Sequence, residues 1–346
     1  MTHFDPDDQF YFERFLSEHR DEIRWLDGTV RRRTIDYLPI ATSRIVHFLA
    51  DIFPRSDFAH WDNDHHMADQ LSEWIVNAPD ETLKIAGLSL KRPPAGVHMV
   101  PGRFPIFYDF ENLDIALTEL LLAGAGIAGN LLDFGCSSGR NLAVLQRAFP
   151  DELHLYGADP SAPSIDWVRQ IIPDVRAVQN DQAPPMPLPS SHFDIVIAKS
   201  IWTHFSPVAA TAWFKEIARC LKPGGYFFFS THGRHDIASR IAYDVPRPRY
   251  DAFEGHTAWT KTEFLRAVIE ALASDGVFFQ PFKQVDHQRD LRGAHKATTE
   301  DWGVTFLLKD YVEKILPEDL AIARYSVART GSRHDAYVVR KRCQPS

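Results

Sequence analysis

Apolar residues fall into two rhythms along this chain, short unbroken runs and stripes that recur every three or four positions. The runs at Leu131-Leu132, at Leu155-Tyr156, over 175–178, at Phe193-Asp-Ile-Val-Ile-Ala198 and at Tyr226-Phe-Phe-Phe-Ser-Thr231 read as buried strands. The stripe Leu113, Ala116, Leu117, Leu120, Leu121 predicts a helix over 112–123. A second stripe (Leu142, Val144, Leu145, Ala148, Phe149) predicts one directly after the first strand. Further helices are expected over 164–172, where Pro173 stops the chain, and over about 207–221. The proline-rich passage 183–189 must be loop, and the turn Lys222-Pro-Gly-Gly225 launches the fifth strand. Strand and helix in alternation call for an α/β fold, a parallel sheet with helices on both faces. Two last candidate strands, 320–327 and 335–340, flank Thr330-Gly331-Ser332 and predict an antiparallel C-terminal hairpin.

The flanks carry a different pattern. Phe12, Phe15, Leu16, His19, Ile23 and Leu26 recur at helical spacing behind the acidic Asp5, Asp7 and Asp8, which suit a helix N-terminus. Periodic runs over 35–53, interrupted at Pro39, and over 67–76 continue the helical reading. The breakers in Lys91-Arg-Pro-Pro-Ala-Gly and Pro101-Gly102 mark a linker. This divides the chain into a helical segment 1–104, a lid or an oligomerisation element, and an α/β domain 105–346. Within that domain, 234–302 is polar, rich in His and Arg, with one clear helix over 261–273, and reads as a substrate-side insertion.

Composition narrows the function classes. A net charge of −8 argues against general nucleic-acid binding, which needs a basic surface. Cys136, Cys220 and Cys343 lie far apart with no CxxC pair, so neither a disulfide framework nor a thiolate zinc site is expected. The acidic start Met-Thr-His-Phe-Asp-Pro-Asp-Asp has no signal-peptide character, and no apolar stretch is long enough for a membrane span. The expectation is a cytoplasmic protein acting on a small molecule, without membrane or nucleic-acid partners and with homo-oligomers allowed.

Chemistry concentrates at Leu131-Leu-Asp-Phe-Gly-Cys-Ser-Ser-Gly-Arg-Asn-Leu142, a strand that ends in a tight turn and opens a helix. Gly135 and Gly139 permit positive φ and a close ligand approach. A dinucleotide loop would place glycines at 135, 137 and 140, and Ser137 and Arg140 stand in two of those places. Asp133 would also repel a pyrophosphate and suits a ligand with a cationic group.

Here the chain resembles the class I S-adenosylmethionine-dependent methyltransferases, over about 112–233 with a looser echo beyond. Leu132-Asp133-Phe134-Gly135-Cys136-Ser137-Ser138-Gly139 looks like their first motif, with Ser137 where the family most often has glycine. Asp159, at the end of the second strand, matches the acid that accepts from both ribose hydroxyls. Asn180-Asp181 matches the polar pair that meets the adenine amino group. The segments 193–198 and 221–225 complete the series in the family's order. The resemblance therefore implies a Rossmann-like fold, S-adenosyl-L-methionine as cofactor, and a cofactor site of Asp133, Gly135, Cys136, Ser137, Gly139, Asp159, Pro160, Asn180, Asp181, Lys199 and Ser200. Ser200-Ile-Trp-Thr-His204, Ser230-Thr-His232-Gly233, Asp301-Trp-Gly-Val-Thr-Phe and His334-Asp335 further resemble a bacterial branch that methylates sugars and other small molecules, although its usual Gln-Asp is His334-Asp335 here.

Methyl transfer is an in-line substitution, so orientation dominates, and a hydroxyl acceptor needs a base as well. His204 and His232, just beyond the fourth and fifth strands, are the candidates; a positioning or structural role is the alternative for each. Asp62, Asp64, His65, His66 and Asp69 have metal-ligand chemistry but no defined spacing, so no metal is assigned. Trp61, Trp74 and Trp202 are read as stacking surfaces or core. Arg234, Arg240, Arg247 and Arg249 are read as an anion site or a solvated loop, and Tyr108 as a residue that closes over the cofactor. Rival readings are a non-catalytic S-adenosylmethionine-binding protein of the same fold and an aminopropyl transferase, for which no acidic polyamine pocket is evident.

Overall fold

The computed structural model describes residues 4–20, 106–242, 260–282, 300–328 and 334–343. Helix α1 (Pro6–Glu18) is capped by Asp5, whose carboxylate accepts from the backbone N–H groups of Asp7 and Asp8. The α/β unit begins with α2 (Ile106–Leu122) and runs β1 (Gly129–Phe134), α3 (Arg140–Ala148), β2 (Leu153–Asp159), α4 (Ala162–Ile171), β3 (Arg176–Gln179) and β4 (Phe193–Ala198). It continues through α5 (Pro207–Cys220), β5 (Leu221–Thr231), α6 (Arg234–Ala242), α7 (Lys261–Ser274), β6 (Val277–Pro281), β7 (Gly303–Leu307), α8 (Lys309–Ile315), β8 (Leu320–Ser326) and β9 (Asp335–Lys341).

The main sheet has the order β3-β2-β1-β4-β5-β9-β8. Its first five strands are parallel, while β9 pairs antiparallel with both β5 and β8. The expected hairpin is therefore present, with β9 inserted between β5 and β8. Period-two alternation sorts the strand residues between the faces. Leu131, Leu155, Ile195, Ile197, Phe228 and Val338 join a core with α2, α3 and α4. Leu132, Phe134, Val196, Phe227, Phe229 and Tyr337 join the opposite core with α5 and α8. Since β1 lies between β2 and β4, and α3 and α5 cover opposite faces, the chain changes direction of winding there. A crevice at the carboxyl ends of β1 and β4 follows from that topology.

Two sequence expectations change. The Lys222-Pro-Gly-Gly225 turn lies inside β5: pairing jumps from Phe193↔Leu221 to Ile195↔Tyr226, so these residues form a bulge. Gly225 is required there, because a Cβ would sit 3.0 Å from the Phe193 carbonyl oxygen. After Gly233, the described residues of the polar stretch form more than the one expected helix. Helix α6 buries His235, Asp236, Ile237, Ala238, Ser239 and Ile241, and β6 and β7 form a separate two-stranded antiparallel sheet. These elements make a third core in which Ile237, Phe264, Val268, Phe278 and Phe306 enclose Phe12 and Phe15 of α1. An Arg266–Asp8 ion pair and the Arg266 guanidinium over the Tyr11 ring, 4.3 Å from its centroid, hold α1 on that unit. The periodic runs over 35–53 and 67–76, the 91–102 linker, the candidate metal cluster, Trp61, Trp74, Arg247 and Arg249 lie outside the described residues, as does the side chain of Tyr108 on α2. Among the described residues no helix is long and apolar enough to cross a membrane.

Trp202 is core. It is fully buried, stacks on Phe214 at 4.8 Å and contacts Phe227 and Phe229. A residue packed this way offers no face to an acceptor. Trp202→Ala is expected to lower unfolding free energy by about 3–5 kcal/mol, the cost of a large core truncation, measured by denaturant titration. Loss of turnover at unchanged stability would contradict the core assignment.

Candidate active site

Strands β1, β2, β4 and β5 end along one edge of the sheet, and β9 begins there, with Asp335 opposite Thr231. The loop after β1 is folded onto β2. Gly135 and Cys136 both donate their N–H to the Ala158 carbonyl, at 2.8 and 3.1 Å, and the Ser137 N–H donates to Asp159 Oδ2 at 2.8 Å. Gly135 and Gly139 take φ of 78° and 76°. A Cβ at Gly135 would displace the Ile201 side chain, and one at Gly139 would press on Val168 Cγ2 at 2.8 Å, so packing adds to the preference for glycine that the positive φ sets. Asp159 also accepts from the Ser161 N–H at 2.8 Å, and the Pro160 carbonyl accepts from Gln179 Nε2 at 3.2 Å. Asn180 is buried and donates to the Asp181 carbonyl at 2.7 Å, whereas the Asp181 side chain is exposed.

Three buried side-chain oxygens at the end of β1 and in the loops after β1 and β3 lack a hydrogen-bond partner: Asp133 Oδ2, Ser137 Oγ and Asn180 Oδ1. Buried polar atoms are nearly always satisfied, so an orphaned set at the ends of β1 and β3 and in the loop after β1 marks a place for a polar ligand. Burial drives the Asp133 pKa up to about 7, against the hydrogen bond from Asn141 and the charge of Lys199. Cys136 contributes backbone only. Its Sγ lies under the loop, where a Cβ on Gly157 would meet it at 2.9 Å, and burial pushes its thiol well above the usual range.

The other half of the site is stitched together by β7. The Gly303 N–H donates to the His204 carbonyl at 2.8 Å, the Thr305 N–H to the Thr203 carbonyl at 2.8 Å and the Leu307 N–H to the His232 carbonyl at 3.0 Å. In the reverse direction, Nδ1 of His204 lies 2.8 Å from the Gly303 carbonyl oxygen, and Nδ1 of His232 lies 2.8 Å from that of Thr305. A carbonyl can only accept, so each imidazole carries its proton on Nδ1 and keeps the Nε2 lone pair. Burial lowers both pKa values, that of His232 well below the ordinary range with help from Arg240, so both rings are neutral at physiological pH. Trp302 lies 4.7 Å from the His204 ring and Phe306 4.9 Å from the His232 ring.

The structure thus brings together Asp133, Gly135, Ser137, Gly139, Asp159 and Asn180 on one side and His204 and His232 on the other, with Lys199 and Ser200 between them after β4. Arg240 is neither a solvated loop residue nor an unspent cation: it pairs with Asp236 at 2.7 Å and lies over the Phe306 ring. Sequence reasoning missed the histidine-orienting carbonyls of Gly303 and Thr305, because backbone acceptors leave no side-chain signature. It also gave no role to His334, which is buried with its ring 4.6 Å from that of His232.

The profile of the methyltransferase domain family matches residues 64–272, and the chain belongs to this family. The protein is a class I S-adenosylmethionine-dependent methyltransferase, and S-adenosyl-L-methionine is its cofactor. Its curated relatives include the fatty-acid O-methyltransferase of Mycolicibacterium smegmatis, 25% identical over 228 residues that cover 65% of this chain and 72% of that protein. It is also similar to the solved structure of a protein from Pyrococcus horikoshii, at 18% identity with a TM-score of 0.42, covering 66% of this chain and 88% of the other. A further similar structure is an S-adenosylmethionine-dependent methyltransferase from Clostridium acetobutylicum, at 13% identity with a TM-score of 0.41, covering 68% and 92%.

The raised pKa of Asp133 has a stability consequence. The folded protein holds this proton up to about pH 7, whereas an unfolded aspartate loses it near 3.8. Stability from this group is therefore present at low pH and lost as pH rises from about 4 to 7, by on the order of 4 kcal/mol. Asp133→Asn is expected to raise the thermal midpoint at pH 8 and to flatten its fall between pH 4 and 7. Equal midpoints for both proteins at pH 8 would refute this.

Proposed function

We propose that the protein methylates a hydroxyl oxygen of a small neutral molecule, a sugar or related metabolite, with His232 as the base. The observation that carries this reading is the pair of imidazoles fixed by β7 as neutral Nδ1–H tautomers. A hydroxyl must lose its proton as it attacks, and a neutral imidazole with an unprotonated Nε2 is the group suited to take it. His232 Nε2 makes no hydrogen bond to any described residue. His204, held in the same tautomer beside Trp302, orients the acceptor. The aromatic ring and the neutral polar groups together match a sugar, with apolar C–H faces and a rim of hydroxyls.

A carboxylate acceptor, the chemistry named for the mycobacterial relative, is already ionised at neutral pH and needs a cation rather than a base. Arg240, the cation beside His232, is engaged by Asp236, which favours the neutral acceptor.

On the cofactor side the residues fit the sulfonium nucleoside. Asp133 supplies a carboxylate for its ammonium group, Asp159 accepts from the ribose hydroxyls, and Asn180 with Asp181 meets the adenine amino group. The backbone of Gly135, Cys136, Ser137, Gly139 and Pro160 allows close approach, and Lys199 and Ser200 line the crossing to the acceptor. When bound, the cofactor supplies an electrophilic methyl group; the chain's part is to align the acceptor, exclude water and remove one proton.

Incubation with S-adenosylmethionine and panels of sugar hydroxyls and fatty acids should yield S-adenosylhomocysteine with the former. His232→Ala is expected to cost about 10²–10⁴ in kcat. Methyl esters from fatty acids, with no hydroxyl methylated, would sink the proposal. In calorimetric titration Asp159→Ala should weaken S-adenosylhomocysteine by about 1.5–3 kcal/mol, the size of hydrogen bonds to a charged group. An unchanged dissociation constant would remove Asp159 from the ribose.

A further inference from the structure

The loop after β4 links the two halves of the site, and it is held in an unusual way. Ser200 takes φ of 58°, the left-handed region that a non-glycine residue rarely enters. Its N–H donates to Ser230 Oγ at 3.0 Å, and its carbonyl accepts from Thr203 Oγ1 at 2.8 Å. Nδ1 of His334 lies 3.3 Å from Ser200 Oγ and 3.4 Å from Ser230 Oγ. Ser230 Oγ receives the Ser200 N–H and keeps its own hydroxyl hydrogen, so each serine has a hydrogen to direct to that nitrogen. With the serine hydrogens so directed, His334 accepts at Nδ1 and carries its proton on Nε2, the tautomer opposite to that of His232. Burial, with the charge of Arg240 and the neighbouring His232 and His204, holds His334 neutral, and only Asp236 acts the other way.

The turn has consequences in both directions. One residue on, Ile201 occupies the space that Gly135 leaves open in the cofactor loop. Further along, Thr203 and His204 bond to β7, and the His334 ring stands edge-on to His232 at an interplanar angle of 87°.

We propose that His334 is a positioning residue: by accepting the Ser200 and Ser230 hydroxyls it clamps the left-handed turn after β4, and so sets Ile201 against the cofactor loop and holds His204 and His232 in register on the acceptor side. This deepens the proposed function, on which the meaning of the acceptor side rests. Backbone strain of this kind persists only where surrounding contacts over-determine it, and here three side chains from three segments do so.

The test needs no acceptor. Ring-¹⁵N NMR of the histidine-labelled protein with S-adenosylhomocysteine bound should show, at neutral pH, His334 protonated on Nε2 and His204 and His232 protonated on Nδ1, all three rings neutral. His334→Leu removes the clamp's acceptor. It is expected to weaken S-adenosylhomocysteine at least tenfold in calorimetry. His334→Gln, whose amide oxygen can accept from both hydroxyls, should recover most of the binding. Ser200→Gly in the His334→Leu background should recover part of it, because glycine holds the turn without a clamp. A general packing defect would depress all three variants alike. A His334 proton on Nδ1 in the wild-type protein overturns the proposal, as does unchanged S-adenosylhomocysteine affinity in His334→Leu. Failure to methylate hydroxyls would remove the base assignment and leave these results standing.

Discussion

The setting of His204 and His232 depends on the main chain of a five-residue strand. β7 pairs with β6 along one edge and turns its other edge to the ends of β4 and β5, donating to the carbonyls of Thr203, His204 and His232. The acceptors on that same edge, the Gly303 and Thr305 carbonyls, fix the protons of two imidazoles. Residues two apart on a strand point their carbonyls the same way, so one strand sets two tautomers alike. Main-chain acceptors cannot change protonation state, which makes this a more constant orienting device than a carboxylate. It also brings no negative charge that would raise the histidine pKa values.

Burial then divides the site into two chemical halves. Around the histidines it favours the neutral bases. At Asp133 it favours the protonated acid, leaving a group whose ionisation awaits a positive partner. The same desolvation that makes an empty Asp133 costly makes a cation beside it favourable, since attraction between charges grows as water is excluded. The halves meet at Ile201, which packs against the glycine of one and belongs to the clamped turn of the other.

The parallel sheet, the helices that cover it and the C-terminal hairpin were all legible in the sequence, because burial on two faces writes itself as unbroken apolar runs such as Phe193–Ala198 and striped helices such as α5. The tight loop after β1 was legible for a related reason: the constraints at Gly135 and Gly139 act on residue type itself. The surroundings of His204 and His232 were less so. β7 is short and α6 is shielded by neighbours, so His235, Asp236 and Ser239 are buried in a segment whose composition reads as polar surface. Partners such as His204 and Gly303, or Ser200 and His334, are separated by about a hundred residues or more, a distance that local pattern does not bridge. Lys222-Pro-Gly-Gly225 has turn chemistry and so predicts a turn before β5, and only pairing to β4 shows that the strand begins at Leu221.

Ser137, the departure from the family's usual glycine, shows how such a site tolerates a substitution. Its φ of 47° is left-handed, a conformation that costs an L-residue about 1–2 kcal/mol relative to glycine. The same geometry aims its N–H at Asp159 Oδ2 at 2.8 Å, and a hydrogen bond to a charged group contributes about 1.5–3 kcal/mol. The two terms are of similar size, so the loop keeps its shape without glycine at this position. The hydroxyl is then an addition rather than a defect: Ser137 Oγ is one of the orphaned oxygens on this edge, and a ligand that brings a donor there would be bound more tightly than glycine would allow. A serine here exchanges some freedom of backbone approach for one more polar contact.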